Sequence, residues 1–370
     1  MEKNRILWLD SVKGIACWVI FLGHFVFCYG FLPFVYRWVG EVKYNSFIYN
    51  GNTAMDAFVM ISAFIEASVF LNAGEKFGTK AGSGIIKRYL RFSIPIFMIE
   101  VIVYVLQKAG LWTERFPAIP VRDIPFSEII YDSFYLSLFK GSSHVYPVFW
   151  MMNVMFIGYI LVLVICAMVS VMKKPCAYLL LTVLMIITLA QLSMFFLVFF
   201  GTFLYLLYSG MYVGTEEKHK KFKAVRYIFG AALVILSTYL SGQDSELAYM
   251  LSNKGFPKCF GASYFYCWIS AAMLLTGLIL CTPAIRVLNN RKLASLGKLC
   301  FPVFLFHPLC LVIFGEYVFR YFDARAGKYN HGTKAAFFVS FLTTLLLSLL
   351  YVKIIEPLIN KLTQKIVKIL

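Results

Sequence analysis

LDSVKGIACWVIFLGHFVFCYGF, residues Leu9 to Phe31, is an apolar run long enough to cross a lipid bilayer as one helix. It begins with the charged residues Asp10 and Lys13 and holds His24 near its middle, where a polar side chain is costly and is by default a functional candidate. In a helix, Lys13 and His24 are separated by three turns plus about 20°, so they share a face at an axial distance of about 16 Å. The stretch therefore predicts a membrane helix that carries Lys13 at one end and His24 near its middle, both on the same face.

The whole chain has the composition of an integral membrane protein. Of its 370 residues 61% are hydrophobic and only 14% are charged, and the apolar residues form long runs. A net charge of +17 would suggest nucleic acid as a partner of a soluble chain, but here the basic residues lie in short segments between apolar runs. We therefore expect a multi-pass protein of a cell membrane, with membrane lipids and no nucleic acid among its partners.

The apolar runs predict an all-α bundle of about ten transmembrane helices, forming a single domain over residues 1–370. The predicted spans are 14–34, 54–72, 89–109, 147–171, 176–190, 194–212, 225–241, 263–282, 299–319 and 334–353. Residues 176–210 would make one helix of about 52 Å, far longer than the bilayer core, so a hairpin is predicted at 191–193. If the N-terminus is cytoplasmic, every second segment between the spans lies on the same side of the membrane. These segments hold 23 of the 35 Lys and Arg residues, which predicts that both termini are cytoplasmic.

The longest outer segment, residues 110–146, contains Pro117, Pro120 and Pro125 followed by SEIIYDSFYLSLF. The last piece predicts a short amphipathic helix lying against the outer surface of the membrane. Such a helix is typical of an interfacial anchor, and a lid or acceptor platform is the alternative.

A second histidine, His307, lies deep in the apolar run LCFPVFLFHPLCLVIF. Spans one and nine are expected to run in the same direction, and His307 lies about 12 Å into its span, so His24 and His307 are expected at comparable depth. Either they line one cavity, or each is a packing histidine bonded to a neighbouring helix and His307 before Pro308 marks only a kink. We expect no metal ion there, because neither histidine has a partner at ligand spacing on its own helix.

A basic cluster opens the third span, in IIKRYLRFSIPIFMIE. Arg91 lies three residues after Arg88 and four after Lys87, so the cluster shares a face at the predicted cytoplasmic start of the helix. This arrangement suits a phosphorylated cytosolic ligand. Alternatively, the three residues only set the orientation of the span.

Four further polar residues lie inside the predicted spans: Asp56 and Glu66 in the second, Glu100 in the third and Asn153 in the fourth. Asp56 and Glu66 are each able to pair with a histidine or a basic residue. A carboxylate beside His24 would raise the basicity of the imidazole and hold one of its tautomers.

Six motifs in order resemble those of the acyltransferase family 3, a family of multi-span membrane enzymes. LDSVKGIACWVIFLGH resembles its opening signature, a basic residue, ten others and a histidine, with Lys13 where the family usually has arginine. The other five are DAFVMISAF, KRYLRFSIP, FWMMNVMFIGYIL, GKLCFPVFLFHPL and IIEPLINK. The chain departs from the family at Ala63 in place of glycine, at Phe301-Pro302 in place of Ser-Tyr, and at Met155 in place of a frequent Glu.

The resemblance implies an O-acyltransferase, similar to O-acetyltransferases, in a bacterial plasma membrane. Its donor would be cytoplasmic acetyl-CoA or another acyl-CoA, its acceptor a hydroxyl of a cell-surface or lipid-linked carbohydrate, and no cofactor would be permanently bound. The expected catalytic residues are His24, Asp56, Glu66 and His307. The expected donor-binding residues are Lys13, Lys87, Arg88 and Arg91.

Two other classes of function remain open at the level of the sequence. The first is a transporter or flippase for a lipid-linked sugar or small polar substrate, with the histidines as proton-coupling groups. The second is a sensor or structural membrane protein in which the family site has decayed. Turnover of acyl-CoA separates the enzyme from both.

Overall fold

The computed structural model describes residues 6–30, 48–116, 119, 123–212, 223–242, 250, 263–322 and 331–369. Within these ranges every regular element is a helix. The helices are α1 (Leu7–Tyr29), α2 (Gly51–Leu71), α3 (Phe77–Lys108), α4 (Phe126–Tyr131), α5 (Trp150–Ser170), α6 (Lys174–Ala190), α7 (Phe195–Tyr212), α8 (Lys223–Gly242), α9 (Ser263–Leu280), α10 (Thr282–Leu288), α11 (Arg291–Leu296), α12 (Cys300–Cys310), α13 (Glu316–Tyr321), α14 (His331–Leu350) and α15 (Glu356–Ile369). Single π-helical segments join α12 to α13 and α14 to α15, and a third one, Asp132–Lys140, extends α4.

Seven helical stretches among the described residues are long and apolar enough to cross a membrane. They are Leu7–Tyr29, Gly51–Leu71, Gly74–Lys108, Pro147–Ser170, Lys223–Gly242, Arg291–Tyr321 and His331–Lys368. An eighth is present if α9 and α10, which meet at a 95° bend, form one span. Two further apolar helices, Lys174–Ala190 and Phe195–Gly210, are shorter than these stretches. Each of the ten predicted spans thus overlaps an apolar helix, and residues 31–34 of the first span lie outside the described residues. The count of ten and the cytoplasmic termini stay predictions.

The predicted hairpin between α6 and α7 is confirmed. Helix α6 ends at Ala190, Leu192 takes a left-handed conformation with φ of 52°, and α7 begins at Phe195. The two helices then pack against each other, since the Tyr178 ring meets that of Phe203 edge-on at 5.7 Å. A left-handed residue reverses the chain within the few residues that the sequence leaves for the turn.

The start of α3 differs from the prediction. The third span was expected to begin at residue 89, but the helix begins at Phe77, because the glycine-containing polar stretch before residue 89 continues it. Lys87, Arg88 and Arg91 therefore lie about 15 Å or more from the first residue of the helix. The helix dipole acts within the first turn, so it does not contribute to an anion site at these residues.

The described helices divide into two compact units. The first comprises residues 1–20, 42–77 and 158–297, and the second comprises residues 21–41, 78–157 and 298–370, as far as these ranges are described. The first half of α1 thus belongs to the first unit, and the half that holds His24 belongs to the second. The single domain expected over residues 1–370 stays a prediction.

Glycines allow close helix packing in the first unit. A Cβ atom on Gly201 of α7 would lie against the backbone oxygen of Met60 and 3.0 Å from the Cβ atom of Ala63 on α2. On α8 and α9, Gly230 and Gly277 face each other, and a Cβ atom on either would come within 2.8 Å of the other's carbonyl oxygen. Small residues let membrane helices approach closely enough for extensive van der Waals contact. Ala63 stands where the related family has glycine, and here the facing helix supplies the glycine.

We expect Gly201→Ala to destabilise the first unit, because its methyl group would push α7 away from the backbone of α2. Overpacking of this kind costs about 1–3 kcal/mol, and a thermal shift assay of the detergent-purified protein should show a Tm lower by a few degrees. The matched control is Gly210→Ala on the same helix, where the added Cβ atom would meet only the Tyr178 hydroxyl at 3.7 Å. An equal Tm for the two variants would contradict the proposed close packing.

In the second unit, the chain from α12 to α13 forms one rod that packs against the second half of α1 and against α14. The Tyr29 hydroxyl donates to the carbonyl of Leu311 at 2.8 Å, and the Phe21 ring packs edge-on against Phe337 and Phe341, each at 6.0 Å. These contacts fix the part of α1 that holds His24 against the part of α12 that holds His307.

The predicted amphipathic helix is present as α4 with its π-helical extension, residues 126–140, but it lies lengthwise along α3. The Phe126 ring contacts Tyr104 at 5.9 Å, and the Phe139 ring contacts Tyr89 at 6.3 Å. These contacts extend along about 22 Å of the α3 axis. The helix turns Asp132, Ser133 and Ser137 inward and leaves aromatic side chains exposed. Its polar face therefore packs toward the protein interior, and its apolar face is exposed.

Candidate active site

His24 and His307 meet in the second unit. Nδ1 of His24 lies 2.5 Å from Nε2 of His307, and the two rings lie edge to edge with centroids 4.8 Å apart and planes 6° from parallel. His307 is 1% exposed, whereas His24 is only partly buried. The structure thus brings together the two histidines that the sequence placed at comparable depth, and leaves surface on His24 for a substrate.

The tautomers of both rings follow from the backbone of α12. Nδ1 of His307 lies 2.8 Å from the carbonyl oxygen of Val303, which can only accept, so this nitrogen carries a proton. In the neutral ring Nε2 of His307 is then an acceptor, and Nδ1 of His24 must donate to it. The lone pair of His24 is therefore on Nε2.

Pro308 explains why the His307 ring turns toward its own helix. Proline has no backbone N–H, so the carbonyl of Phe304, four residues earlier, receives no bond from it. The His307 ring hydrogen-bonds to the carbonyl of Val303 at 2.8 Å and interacts electrostatically with the carbonyl of Phe304. The helix continues through Pro308 and becomes π-helical at Leu311–Gly315. The His-Pro pair thus orients a side chain in addition to perturbing the helix.

A strap of residues 111–116 crosses the ends of the helices beyond the two histidines. Phe116 is 2% exposed, and its ring meets His24 edge-on at 5.2 Å and Phe27 at 5.6 Å. The Thr113 hydroxyl anchors the strap by donating to the carbonyl of Val312 at 2.8 Å. The strap therefore covers the side of His24 that faces the C-terminal end of α1.

An ion-pair cluster fixes the strap more firmly. The Arg115 guanidinium donates twice to Glu316, and Arg320 donates to the same carboxylate at 2.8 Å. The Arg115 guanidinium also lies over the rings of Tyr29 and Phe319, at 5.3 and 4.6 Å. Burial opposes the charge on Arg115, but the hydrogen bonds to Glu316 outweigh it, so the pKa of Arg115 lies above its ordinary value. Glu316 is 3% exposed and depends on its two cations for compensation.

Asp56 and Glu66 lie on α2, in the first unit. Asp56 is buried, and neither of its carboxylate oxygens has a hydrogen-bond partner among the described residues. Glu66 is also buried, and it lies close enough to Cys166 for an electrostatic interaction. Within the described second unit the ring contacts of His24 are with His307 and Phe116. That Asp56 or Glu66 acts with His24 stays a prediction.

Lys87, Arg88 and Arg91 lie on one side of α3, as predicted. Lys87 is exposed, and the Arg88 guanidinium lies over the Phe92 ring at 5.6 Å. Arg91 forms an ion pair at 3.1 Å with Glu356, the acidic residue of the last family-like motif. Two motifs far apart in sequence are thus joined by the ion pair of Arg91 with Glu356.

Lys13 lies in the first unit, where the N-terminal part of α1 packs against α11. The Lys13 ammonium forms an ion pair with Asp10, one turn earlier, at 3.1 Å. Gly297 packs against the backbone of Asp10, and the Ser11 hydroxyl donates to the carbonyl of Leu288 at 2.7 Å. The charged start of α1 is therefore held in place and keeps Lys13 only partly buried.

The sequence prediction missed a polar cluster where α3 meets residues 126–146. The Glu100 carboxylate accepts from the hydroxyls of Ser133 and Ser143, and the buried Asp132 accepts from the backbone N–H groups of His144 and Val145. Glu100 was recognised as polar within a span, but the amphipathic pattern did not show that the polar face of residues 126–140 turns toward it. The cluster fixes the loop that leads into α5.

This constellation defines a class: a polytopic membrane protein with an interior imidazole pair and a basic cluster on one of its helices. Comparison with known families makes the assignment specific, because a family model described as an acyltransferase domain matches residues 6–353. The chain belongs to the acyltransferase family 3. No curated protein and no solved structure matches the chain significantly.

We expect the charge balance around Glu316 to show in thermal stability. Arg115→Ala with Arg320→Ala leaves a buried carboxylate without a cation, which is strongly destabilising in other proteins. Adding Glu316→Gln removes that charge, so the triple variant should have a higher Tm in detergent than the double variant. A triple variant no more stable than the double one would show that packing of the two arginines, and not their charge, holds the strap.

Proposed function

We propose that the protein transfers an acyl group, acetyl in the first instance, from cytoplasmic acyl-CoA to a hydroxyl of a cell-surface or lipid-linked carbohydrate. Membership of the family supports acyl transfer by a membrane protein. The observation that supports the site is the hydrogen-bonded imidazole pair, in which His307 holds His24 with its Nε2 lone pair available.

In this mechanism His24 is the general base. Its Nε2 takes the proton of the acceptor hydroxyl while the oxygen attacks the thioester carbonyl carbon. A C–O bond forms, the C–S bond breaks, and the coenzyme A thiolate leaves with the proton that His24 returns to it. His307 is the positioning residue: its Nε2 accepts from Nδ1 of His24, which fixes the ring and stabilises the imidazolium that forms.

Transient acylation of Nε2 of His24 is a second route, in which the acyl group passes from coenzyme A to the ring and then to the acceptor. Both routes need the same lone pair on the same nitrogen. Both also need His307 to hold the proton-bearing Nδ1 edge of His24 away from the substrate. The two routes therefore predict the same residue dependence and differ in whether an acyl-enzyme accumulates.

Lys87, Arg88, Arg91 and Lys13 are the proposed ligands of the coenzyme A phosphates. Guanidinium and ammonium groups bind phosphate through charge-assisted hydrogen bonds. Arg91 is paired with Glu356 and Lys13 with Asp10, so each of them already holds a carboxylate. Arg91 would then position Glu356 or exchange partners when donor binds.

The first experiment measures coenzyme A release by the purified protein in liposomes, with an acyl-CoA series and a crude envelope glycan as acceptor. We expect His24→Gln to lower the rate at least a hundredfold, the scale of general base catalysis. His307→Asn should lower it at least tenfold through loss of ring positioning. His331→Gln, at the exposed first residue of α14, is the matched control and should keep the wild-type rate.

Full turnover by His24→Gln with folded protein would overturn both routes. If the wild type released no coenzyme A from any donor with glycan present, acyl transfer itself would be contradicted. Proton-coupled flux of a lipid-linked sugar would then be the next measurement, since it tests the transporter.

Donor binding is tested separately with Arg88→Ala. Loss of one charge-assisted hydrogen bond should raise KM for acyl-CoA about tenfold with little change in kcat. Comparing acyl-CoA with its 3′-dephospho analogue shows whether the lost contact was to that phosphate, because the variant would then no longer distinguish the two donors. Lys174→Ala, at the start of α6, removes an exposed basic residue outside the cluster and should leave KM unchanged. Equal KM values for Arg88→Ala and the wild type would refute the role of Arg88.

A further inference from the structure

Phe116 is the one strap residue whose ring is described in contact with His24. It is almost fully buried, and it also touches Phe27, three residues after His24 on α1. Phe116 therefore lies beyond His24 in the direction that leads away from Lys13. The polar side chains of the strap lie elsewhere: Thr113 is bonded to Val312, Arg115 is bonded to Glu316, and Glu114 is exposed.

The path of the donor sets the direction of its acyl group, if the proposed function holds. With a phosphate at Lys13, the pantetheine arm would follow the single helix α1 for about 16 Å to His24. The thioester carbonyl must lie next to Nε2 of His24 for the reaction. An acyl chain extends from that carbonyl away from the sulfur, so it points past His24 toward Phe116 and Phe27.

We infer that Phe116 closes the acyl end of the site and limits the length of the acyl group that the enzyme transfers. This inference rests on the proposed function and makes its donor specific: acetyl and other short chains fit below the ring, and longer chains collide with it. The strap cannot yield easily, because Thr113 and Arg115, which precede Phe116, tie it to the rod formed by α12 and α13. Phe116 is thus a specificity-determining residue.

The test is the ratio of kcat/KM for butyryl-CoA to kcat/KM for acetyl-CoA, measured by coenzyme A release for wild type and variants. Phe116→Ala should raise this ratio at least tenfold, the scale on which a pocket discriminates one or two methylenes. Phe116→Leu, a smaller change that keeps an apolar side chain, should raise it less and serves if the alanine variant does not fold. Phe116→Trp should lower the ratio of kcat/KM for propionyl-CoA to kcat/KM for acetyl-CoA.

The matched control is Phe319→Ala. Phe319 is equally buried and packs on Arg115 and Tyr29, so this variant loosens the same strap without removing the ring above His24. The inference would be overturned if Phe319→Ala raised the ratio by a similar factor. It would also be overturned if Phe116→Ala and Phe116→Leu lowered kcat/KM equally for all chain lengths. Either result would leave the proposed function intact. The absence of any His24-dependent release from the wild type would overturn both.

Discussion

Polar groups inside a bilayer must find their partners within the protein, and this constraint explains most of the specific contacts in the chain. A carbonyl that loses its backbone donor at a proline, or a carboxylate in an apolar span, is costly unless another group satisfies it. The His307 ring hydrogen-bonds to the carbonyl of Val303 in the same helix, and two arginines satisfy Glu316. Where these partners come from distant segments, they also fix the tertiary fold.

The imidazole pair shows how a local hydrogen-bonding requirement determines the protonation pattern of the candidate site. Because the Val303 carbonyl can only accept, it determines which nitrogen of His307 is protonated, and through it which nitrogen of His24 holds the lone pair. A carboxylate next to His24 would set the tautomer equally well but would add a charge to the interior. A neutral ring achieves the same orientation without that desolvation cost, which suits a site enclosed by aromatic side chains.

The sequence predicted the helices well because the apolar runs report directly which segments can leave water. It also placed His24 and His307 at similar depth, since rise per residue is constant along a helix. It did not predict that α3 begins at Phe77, because glycines and polar residues weaken the helical pattern there. Periodicity marks the apolar face of residues 126–140 but not its surroundings, so the burial of Asp132 became visible only from the contacts with Glu100 and Ser143.

On the proposed function, His24 would activate a sugar hydroxyl, and a base of this kind can also activate water, so water would have to be kept from His24 while the thioester is bound. The strap is suited to this task, since it places the Phe116 ring, and no hydrogen-bonding group, against the imidazole. Arg115, the basic residue of the strap, is neutralised by Glu316. An unpaired guanidinium at this position would draw water toward the ring. Exclusion of water by fixed apolar groups prevents hydrolysis of reactive donors in enclosed sites. On the proposed function, the same side chain that limits the acyl group would therefore also protect it, and an acceptor would need binding energy of its own to reach His24.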